Sequence, residues 1–303
     1  MTLHLTEAEV RRLLGLQALI AGVREALIDL SAGRAVQPLR SVVEIASEDG
    51  LLFVKPVLTR GILATKLITQ LPRNAERGLP TMLATIVLMD PATGRTLAVM
   101  EATWLTALRT AAASAVAVDC LASREPKVVA MLGSGVLART HAAALRAVRP
   151  VSEIRVWSRN RENVLRYSSE VNAVACSSAE EAVRGADIVC TVTTAREPVL
   201  KGRWLKPGAF VAAIGAPRPA WRELDDEAMA NVVIADSYAA AAQESGDVLL
   251  SGVKVAAEIG EILAGTRPRP AAGATIVFKA LGQAVTDAVA ARMVYEAARK
   301  LQS

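Results

Sequence analysis

Three cations stand where the surrounding residues are apolar: Arg40 in Gln37-Pro38-Leu39-Arg40, Lys66 in Ala64-Thr65-Lys66-Leu67, and Arg109 in Leu108-Arg109-Thr110-Ala111-Ala112. Lys66 interrupts a run of Ile62, Leu63, Leu67 and Ile68, and Arg109 opens an Ala-rich stretch with little polar company. A cation taken out of water needs an anion, and few carboxylates lie near these three in sequence. Such residues pair with Asp or Glu from elsewhere in the chain, snorkel to water, or hold the acid group of a ligand. A second constellation seeks anions through its backbone. Lys127-Val-Val-Ala-Met-Leu132, a β-branched run, leads directly into Gly133-Ser134-Gly135-Val136-Leu137-Ala138, which opens a helix. Strand, Gly-x-Gly-x-x-Ala and helix in that order form the setting in which this motif binds a dinucleotide. Gly133 permits the tight turn, Gly135 lets the backbone approach a pyrophosphate, and Ala138 permits close helix–strand packing. The helix start then presents free N–H groups and a positive dipole end to the phosphates.

The end of the next strand selects the dinucleotide. Asp or Glu there would accept the ribose hydroxyls of NAD, but the chain reads Val156-Trp157-Ser158-Arg159-Asn160-Arg161. No carboxylate in this stretch repels a 2′-phosphate, and Ser158, Arg159 and Arg161, with Asn160 among them, are placed to contact one. Charge-assisted hydrogen bonds contribute roughly 1.5–3 kcal/mol each, so NADPH is the expected cofactor. Thr110, beside Arg109, is either a polar neighbour of the cofactor or substrate, or a satisfied helix residue.

Elements that position these residues follow from periodicity. Thr6-Glu7-Ala8-Glu9 is a capping box, and the helix it opens is expected to run to about Asp29. Extended segments follow at Leu39–Ala46, Leu51–Lys55, Leu63–Gln70, Met82–Asp90 and Arg95–Glu101, the last two joined by the turn Pro91-Ala92-Thr93-Gly94. With no helix between them they should pair mostly antiparallel. From Ala102 the pattern turns helical, and beyond it strands and helices alternate. Strands are expected at Lys127–Leu132, Glu153–Trp157, Ala173–Cys176, Asp187–Val192, Ala209–Ile214 and Val232–Ala235. Alternation of this kind specifies a parallel sheet wrapped by crossover helices. Residues 275–301 read as one or two helices. The fold class is therefore α/β: a Rossmann-type doubly wound parallel-sheet domain over residues 113–279, and an α+β domain from 1–112 with 280–303.

Composition narrows the partners. The 303 residues carry a formal charge of +5 spread along the chain, with 3% aromatics; a nucleic-acid surface would cluster its basic residues and interleave stacking aromatics. The longest uncharged stretch, Gly78 to Met89, is far shorter than the roughly 20 residues of a bilayer span. Cys120, Cys176 and Cys190 are scattered and odd in number, and with only His4 and His141 present no metal site is expected. MTLHLTEAEVRR lacks the apolar core of a signal peptide, which makes the cytoplasm the expected location.

Taken together, Ala64-Thr-Lys-Leu67, Arg109-Thr-Ala-Ala112, Gly133-Ser-Gly-Val136, Arg222-Glu-Leu-Asp225, Glu244-Ser-Gly-Asp-Val-Leu-Leu-Ser-Gly252 and Thr275-Ile-Val-Phe-Lys-Ala-Leu-Gly282 resemble the ornithine cyclodeaminase/mu-crystallin family over essentially the whole chain. The resemblance implies a homodimer in which residues 1–112 with 280–303 form the substrate and dimerisation domain, and in which Arg40, Lys66 and Arg109 hold a substrate carboxylate opposite the nicotinamide, with Lys66 and Arg109 the catalytic pair. It also carries a departure. Where the cyclodeaminases have a catalytic aspartate after a late strand, this chain reads Ile214-Gly215-Ala216-Pro217-Arg218-Pro219, with Pro217 at that position. Proline has no ionisable group, so imine reduction is favoured over deaminating ring closure. The reductase branch has a histidine where Met82 stands, which implies a less polar pocket here. The expected reaction is NADPH-dependent reduction of a small cyclic imino acid, Δ1-pyrroline-2-carboxylate or Δ1-piperideine-2-carboxylate, to L-proline or L-pipecolate. Ornithine cyclodeaminase, an alanine-type dehydrogenase and a non-catalytic NADPH-dependent binder are the alternatives within the resemblance.

Overall fold

A computed structural model describes residues 2–125 and 127–302. The chain divides into two compact units, Met1–Arg109 with Gln283–Ser303, and Thr110–Gly282. In the first unit the elements are β1 (Leu3–Leu5), α1 (Glu7–Leu13), α2 (Leu16–Ser31), β2 (Ala35–Val36), β3 (Ser41–Ile45), β4 (Gly50–Thr59), β5 (Ile62–Gln70), β6 (Met82–Met89) and β7 (Thr96–Glu101). Helix α3 (Thr103–Leu121) carries Arg109 and Thr110 on either side of the division. The second unit then runs β8 (Val128–Leu132), α4 (Val136–Val148), β9 (Glu153–Trp157), α5 (Arg161–Val171), β10 (Val174–Ala175), α6 (Ala179–Val183), β11 (Ile188–Thr191), β12 (Phe210–Ala213), α7 (Asp226–Met229), β13 (Val232–Ala235), α8 (Tyr238–Glu244), α9 (Gly246–Ser251), β14 (Ala257–Glu258), α10 (Ile259–Leu263) and β15 (Ile276–Lys279). The closing helix α11 (Ala284–Lys300) belongs to the first unit.

The capping box forms as expected: Glu9 accepts from the Thr6 N–H at 2.8 Å and donates its own N–H to Thr6 Oγ1. The single long helix does not. Leu14 is extended (φ −99°, ψ 100°), which ends α1, and Gly15 starts α2. The sheet of this unit has the order β1-β7-β6-β5-β4-β2, with β3 also on β4. All its pairs are antiparallel except β1 with β7. Strand β4 outruns the expected end at Lys55. Pro56 is tolerated because it falls between the stretch paired with β3, which ends at Val54, and the stretch paired with β2, which starts at Leu58. Period-two alternation puts Phe53, Lys55 and Val57 of β4, Ala64, Lys66 and Ile68 of β5, and Ala84, Ile86 and Leu88 of β6 on the buried face, which α11 covers. On that side α11 also packs against α2.

The second unit is a parallel eight-stranded sheet, β10-β9-β8-β11-β12-β15-β13-β14. Strand order reverses at β8, whose neighbours are β9 and β11, so the carboxyl end of β8 is the topological switch point. One expectation is overturned here. Residues 276–279 do not begin a helix but form β15, buried between β12 and β13. Ile-Val-Phe is a β-branched and aromatic run, and a slot between two strands decides in favour of extension. Helix α3 has the length and mean hydropathy of a membrane crossing, but 78% of it is buried within the protein and it carries Arg109 and Asp119. That is the signature of a core helix.

Candidate active site

In the first unit, Lys55 of β4 and Lys66 of β5 are register partners on the buried face. Directly opposed residues on antiparallel strands have Cβ atoms about 4.5–5.5 Å apart. Arg109 of α3 is 5% exposed, and half-buried Arg40, just ahead of β3, lays its guanidinium over the Phe53 ring at 5.8 Å. One buried carboxylate answers them. Asp287, in the first turn of α11, accepts a hydrogen bond from Lys66 Nζ at 2.8 Å and lies 2.7 Å from Arg109 Nε. The arginine contact is close but misaligned: Arg109 Nε and Nη1 are buried without a hydrogen-bond partner, as is Asp287 Oδ2. The other buried carboxylate of this unit among the described residues, Asp29, is engaged by Arg34 and Arg60. A buried donor left unmade costs about 1–3 kcal/mol, more when charged. Arg109 therefore gains from any ligand that brings acceptor oxygens to it.

Electrostatics sharpen the point. Burial, then the Arg109 charge, pull Lys66 down to about 7, against a smaller upward pull from Asp287. Lys55 is held well below its ordinary value by burial, then by Arg40 and Lys66. Burial alone would raise the Asp287 carboxyl, but Arg109, Lys66 and Lys55 together keep it below the usual carboxylate range. In the unfolded chain Lys66 keeps its proton to about pH 10. The native state thus binds fewer protons between pH 7 and that value, so this burial penalty is complete below pH 7 and is relieved as the pH rises. Near neutrality Lys66 is poised to exchange a proton, and a bound anion raises its hold on it.

Sequence reasoning finds Arg40, Lys66 and Arg109, and the structure places all three in one electrostatic group. It misses Lys55 and Asp287. Lys55 had a signal, a cation at an inward position of an alternating strand. Asp287 had none, for its partner Lys66 is 221 residues away.

The second unit carries the glycine turn. Gly133 has φ +117°, its N–H donates to Trp157 O at 2.8 Å, and a Cβ on it would sit 2.7 Å from Val192 O. Only glycine meets these conditions. Gly135 is different: a Cβ there would meet nothing within 4 Å. The protein's own packing does not demand that glycine, whereas close approach of a pyrophosphate does. Gly135 also offers no side chain to cap α4, leaving the first-turn N–H groups for an anion. Arg139, which sequence reasoning passed over, donates from Nη1 to Ser134 O at 2.7 Å and to Gly135 O at 3.1 Å, and pairs with Glu170. It holds the turn from behind. Val136 is exposed, and Ala138 is fully buried against Tyr167, whose hydroxyl donates to Ala138 O at 3.2 Å. These residues fit a dinucleotide.

At the end of β9, Ser158 Oγ lies 2.7 Å from Ser134 Oγ, which joins the two loops. Arg159 is exposed. Asn160 and Arg161 are partly committed elsewhere: the Asn160 side chain caps α5 by accepting from Asn163 N–H at 2.9 Å, and Arg161 Nη1 donates to Cys176 O at 3.1 Å. Thr110 is buried on α3, one turn before Ser114, which contacts His141 Nε2 of α4 at 3.0 Å. His141 Nδ1 is 2.7 Å from Leu137 O, and burial lowers its pKa to about 4, so it is a neutral packing residue.

A further buried network ties the carboxyl ends of β11, β12 and β15. Glu223 accepts from Thr191 Oγ1, Gly215 N–H and Thr193 N–H, each at 2.7 Å. Asp247 accepts from the N–H groups of Glu223 and Leu224 and from Lys279 Nζ, which also bonds Gly215 O. A Cβ on Gly215 would strike the Glu223 carboxyl at 2.4 Å, and Ala216, buried, has φ +54°. The turn ahead of Pro217 is thus clamped on both sides. Among the described residues no three His, Cys, Asp or Glu side chains are grouped to hold a metal ion.

A doubly wound parallel sheet with this glycine turn at its switch point defines a dinucleotide-binding protein of Rossmann type. The chain belongs to the ornithine cyclodeaminase/mu-crystallin family, whose model matches residues 1–302. It is 44% identical over 286 residues to the ketimine reductase mu-crystallin of Mus musculus, covering 92% of this chain and 91% of that protein. A Delta(1)-pyrroline-2-carboxylate reductase of Bacillus cereus is 33% identical, covering 96% of this chain and 94% of its own. Among solved structures, the Thermococcus litoralis Delta(1)-pyrroline-2-carboxylate reductase in complex with NADH and L-proline superposes with a TM-score of 0.95 at 34% identity, covering 99% of this chain and 98% of that one. An archaeal alanine dehydrogenase dimer with bound NAD gives 0.93 at 31% identity, covering 100% and 97%.

Replacing Asp287 with Asn should lower stability by about 3–5 kcal/mol, because it leaves Lys66 and Arg109 without their shared counter-charge. In urea unfolding the loss should be partly recovered by a small carboxylic acid such as L-proline, which supplies the missing anion.

Proposed function

We propose that this chain reduces the C=N bond of cyclic ketimine carboxylates, Δ1-pyrroline-2-carboxylate and Δ1-piperideine-2-carboxylate, to L-proline and L-pipecolate. The observation that carries this reading is the buried cation group whose arginine has unmet donors beside a single shared carboxylate. Such a site is built for a carboxylate, and an arginine fork with a neighbouring ammonium suits its geometry. The relatives named above act, by their names, on ketimines and on pyrroline-2-carboxylate. A bound reduced nicotinamide supplies the hydride. This chain's residues do the rest. Arg109 and Lys66 grip the substrate carboxylate, Arg40 adds to the attracting field, and immobilising the acid orients its C=N bond. Lys66 Nζ, with a pKa near neutrality, holds the proton that keeps the imine nitrogen charged. Proline at position 217 leaves no acid there for deamination, which favours reduction over cyclodeaminase chemistry.

The cofactor end of the reading is NADPH. Arg159, exposed at the end of β9, and Ser158, tied to the glycine turn, meet a 2′-phosphate where no carboxylate opposes it. The protein is read as a homodimer. Val43, Leu58, Leu67 and Leu83 are exposed on the sheet face turned away from α11, and a second copy covers them. An exposed apolar sheet surface of this kind marks a protein interface, and the archaeal alanine dehydrogenase is a dimer. Cys120, Cys176 and Cys190, buried thiols outside any disulfide, suit the reducing cytoplasm.

NADPH oxidation should follow addition of either cyclic ketimine, and failure with both would overturn the reading. Arg109→Leu should lower kcat/KM by about 10²-fold, the equivalent of roughly 2–5 kcal/mol for one side of a buried charged contact, with NADPH binding retained. In the wild type kcat/KM should decline as the pH rises past about 7, with the Lys66 proton, and Lys66→Met should remove that inflection. Arg159→Ala should shift the NADPH-to-NADH ratio of kcat/KM toward NADH by tenfold or more; an unchanged ratio would refute the 2′-phosphate assignment. Light scattering should give a dimer mass for the wild type and a monomer for Leu67→Glu.

A further inference from the structure

The first unit carries a cleft between the turn that joins β6 to β7 and the last turns of α11. Its volume is about 610 Å³, within the range of small-molecule sites. From Asp287 to Arg299 the helix rises about 18 Å, so this cleft and the buried cation group lie toward opposite ends of α11. The local sequence builds it. Asp90 N–H donates to Arg95 O at 2.9 Å, Gly94 N–H donates to Asp90 O at 2.8 Å, and Gly94 takes φ +71°. The turn is therefore closed, and it sets Arg95 just ahead of β7. The ladder then shifts register: Met89 pairs with Thr96 and Leu88 with Ala98, which leaves Leu97 opposite no residue of β6. A bulge of this kind re-aims a side chain, and Leu97 lines the cleft together with Leu3 of β1. Tyr295 and Arg299, four apart on α11, share one helix face and complete the wall. The Arg299 guanidinium lies 5.9 Å from the centre of the Tyr295 ring.

The polar groups of the lining are unequally engaged. Asp90 accepts from Ala92 N–H at 2.9 Å and from Thr93 Oγ1 at 2.8 Å, and these donors hold its carboxyl below the usual range. Among the described residues the guanidiniums of Arg95 and Arg299 make no hydrogen bond or ion pair. The tyrosine hydroxyls divide in the same way. Tyr167 donates to Ala138 O and Tyr238 to Glu261, whereas Tyr295 has no acceptor among the described residues. Donors in want of acceptors thus line a cleft whose acid is already satisfied. Two guanidiniums against one carboxylate leave a single net positive charge, which one ligand carboxylate balances. We propose that this cleft is a second ligand site, one that takes a small organic acid with an apolar body. Arg95 and Arg299 hold its carboxylate, the Tyr295 hydroxyl donates to it, and Leu3 and Leu97 receive its body. The assignment does not depend on the reaction the chain catalyses.

Calorimetry with 3-phenylpropionate tests it, on the full chain with saturating NADP+ and L-proline present to fill the cofactor and substrate sites. Saturable binding is expected. The double variant Arg95→Gln/Arg299→Gln should weaken it by tenfold or more, the scale of lost charge-assisted contacts, and Tyr295→Phe should weaken it severalfold. Two further probes separate charge from body. 3-Phenylpropanamide, which keeps the body without the charge, and inorganic phosphate, which has charge without the body, should each bind at least tenfold more weakly than the acid. The unfolding temperature of the wild type should rise with 3-phenylpropionate and that of the double variant should not. NADPH affinity, measured in parallel, verifies that each variant is folded. Absence of saturable binding, or binding that the double variant retains in full, overturns the site. An amide that binds as tightly as the acid overturns the need for a carboxylate. Phosphate that binds as tightly overturns the assignment of an organic ligand. Failure of the chain to reduce either ketimine would overturn the function above and leave this titration to decide the cleft on its own.

Discussion

Buried positive charge in excess of its counter-charge is the constraint around which the first unit is arranged. Lys55, Lys66 and Arg109 come from β4, β5 and α3, and the carboxylate that faces them comes from α11, at the far end of the chain. Desolvating a cation costs several kcal/mol even after relaxation, and Lys66 and Arg109 share the one carboxylate of Asp287. The deficit is visible atom by atom, in the unmet Nε and Nη1 of Arg109 and the unmet Oδ2 of Asp287. A core of this kind is held in place by its surroundings. Around it the buried face is apolar, with Phe53, Ile68, Ile86 and Leu88 on the strands and Val294 on α11. Helix α11 serves two ends at once, burying that face and delivering Asp287. The first unit is complete only when residues 283–303 have returned to the sheet formed by residues 3–101, so site and fold are made in one event.

In the second unit the functional demands fall on the backbone. Gly133 is required by the protein itself, since any side chain meets Val192 O, whereas Gly135 is left bare toward open space. That contrast separates a folding glycine from a binding one. Arg139 and the paired hydroxyls of Ser134 and Ser158 fix the loops that such openness would otherwise loosen. The Glu223, Asp247 and Lys279 network does the same for the Gly215–Ala216 turn, using fully buried charges. Burial raises the Glu223 pKa even with four donors around it. Its position at the strand ends makes it a brace for the loop rather than a solvent-facing acid.

What the sequence reveals about this molecule divides by range of interaction. The turn at Gly133–Ala138 is legible because each of its requirements is local, and β9 and β13 fall on the residues that alternation marks. Boundaries fail where a distant strand decides them. Residues 276–279 fit a helical period equally well until β12 and β13 leave a slot for an extended run. Pro56 reads as a strand end until β2 and β3 are seen to pair on either side of it. Leu14 breaks a helix that periodicity would have continued through Gly15. The cations of the site announce themselves by interrupting apolar runs, whereas Asp287 sits in a helix where a carboxylate in the first turn is unremarkable. Its meaning comes only from Lys66 and Arg109, which pattern reading does not bring to it.

Position 217 bears on the chemistry through geometry as much as through composition. The clamped Gly215 and the left-handed Ala216 aim the chain so that the following residue leaves the end of β12 in a fixed direction. An acid there would be held as firmly as the turn itself, and proline instead closes that position to proton transfer. The proton on the substrate nitrogen must then be present on binding or be kept by another group. Lys66, drawn down to about 7 by burial and by Arg109, is a group in the anion site whose charge changes near neutral pH. Burial is the first cause of its acidity, and the cations crowded beside it, Arg109 foremost, add to that acidity and attract the acid. A carboxylate entering that crowd strengthens the hold of Lys66 on its proton, so substrate binding and protonation reinforce one another.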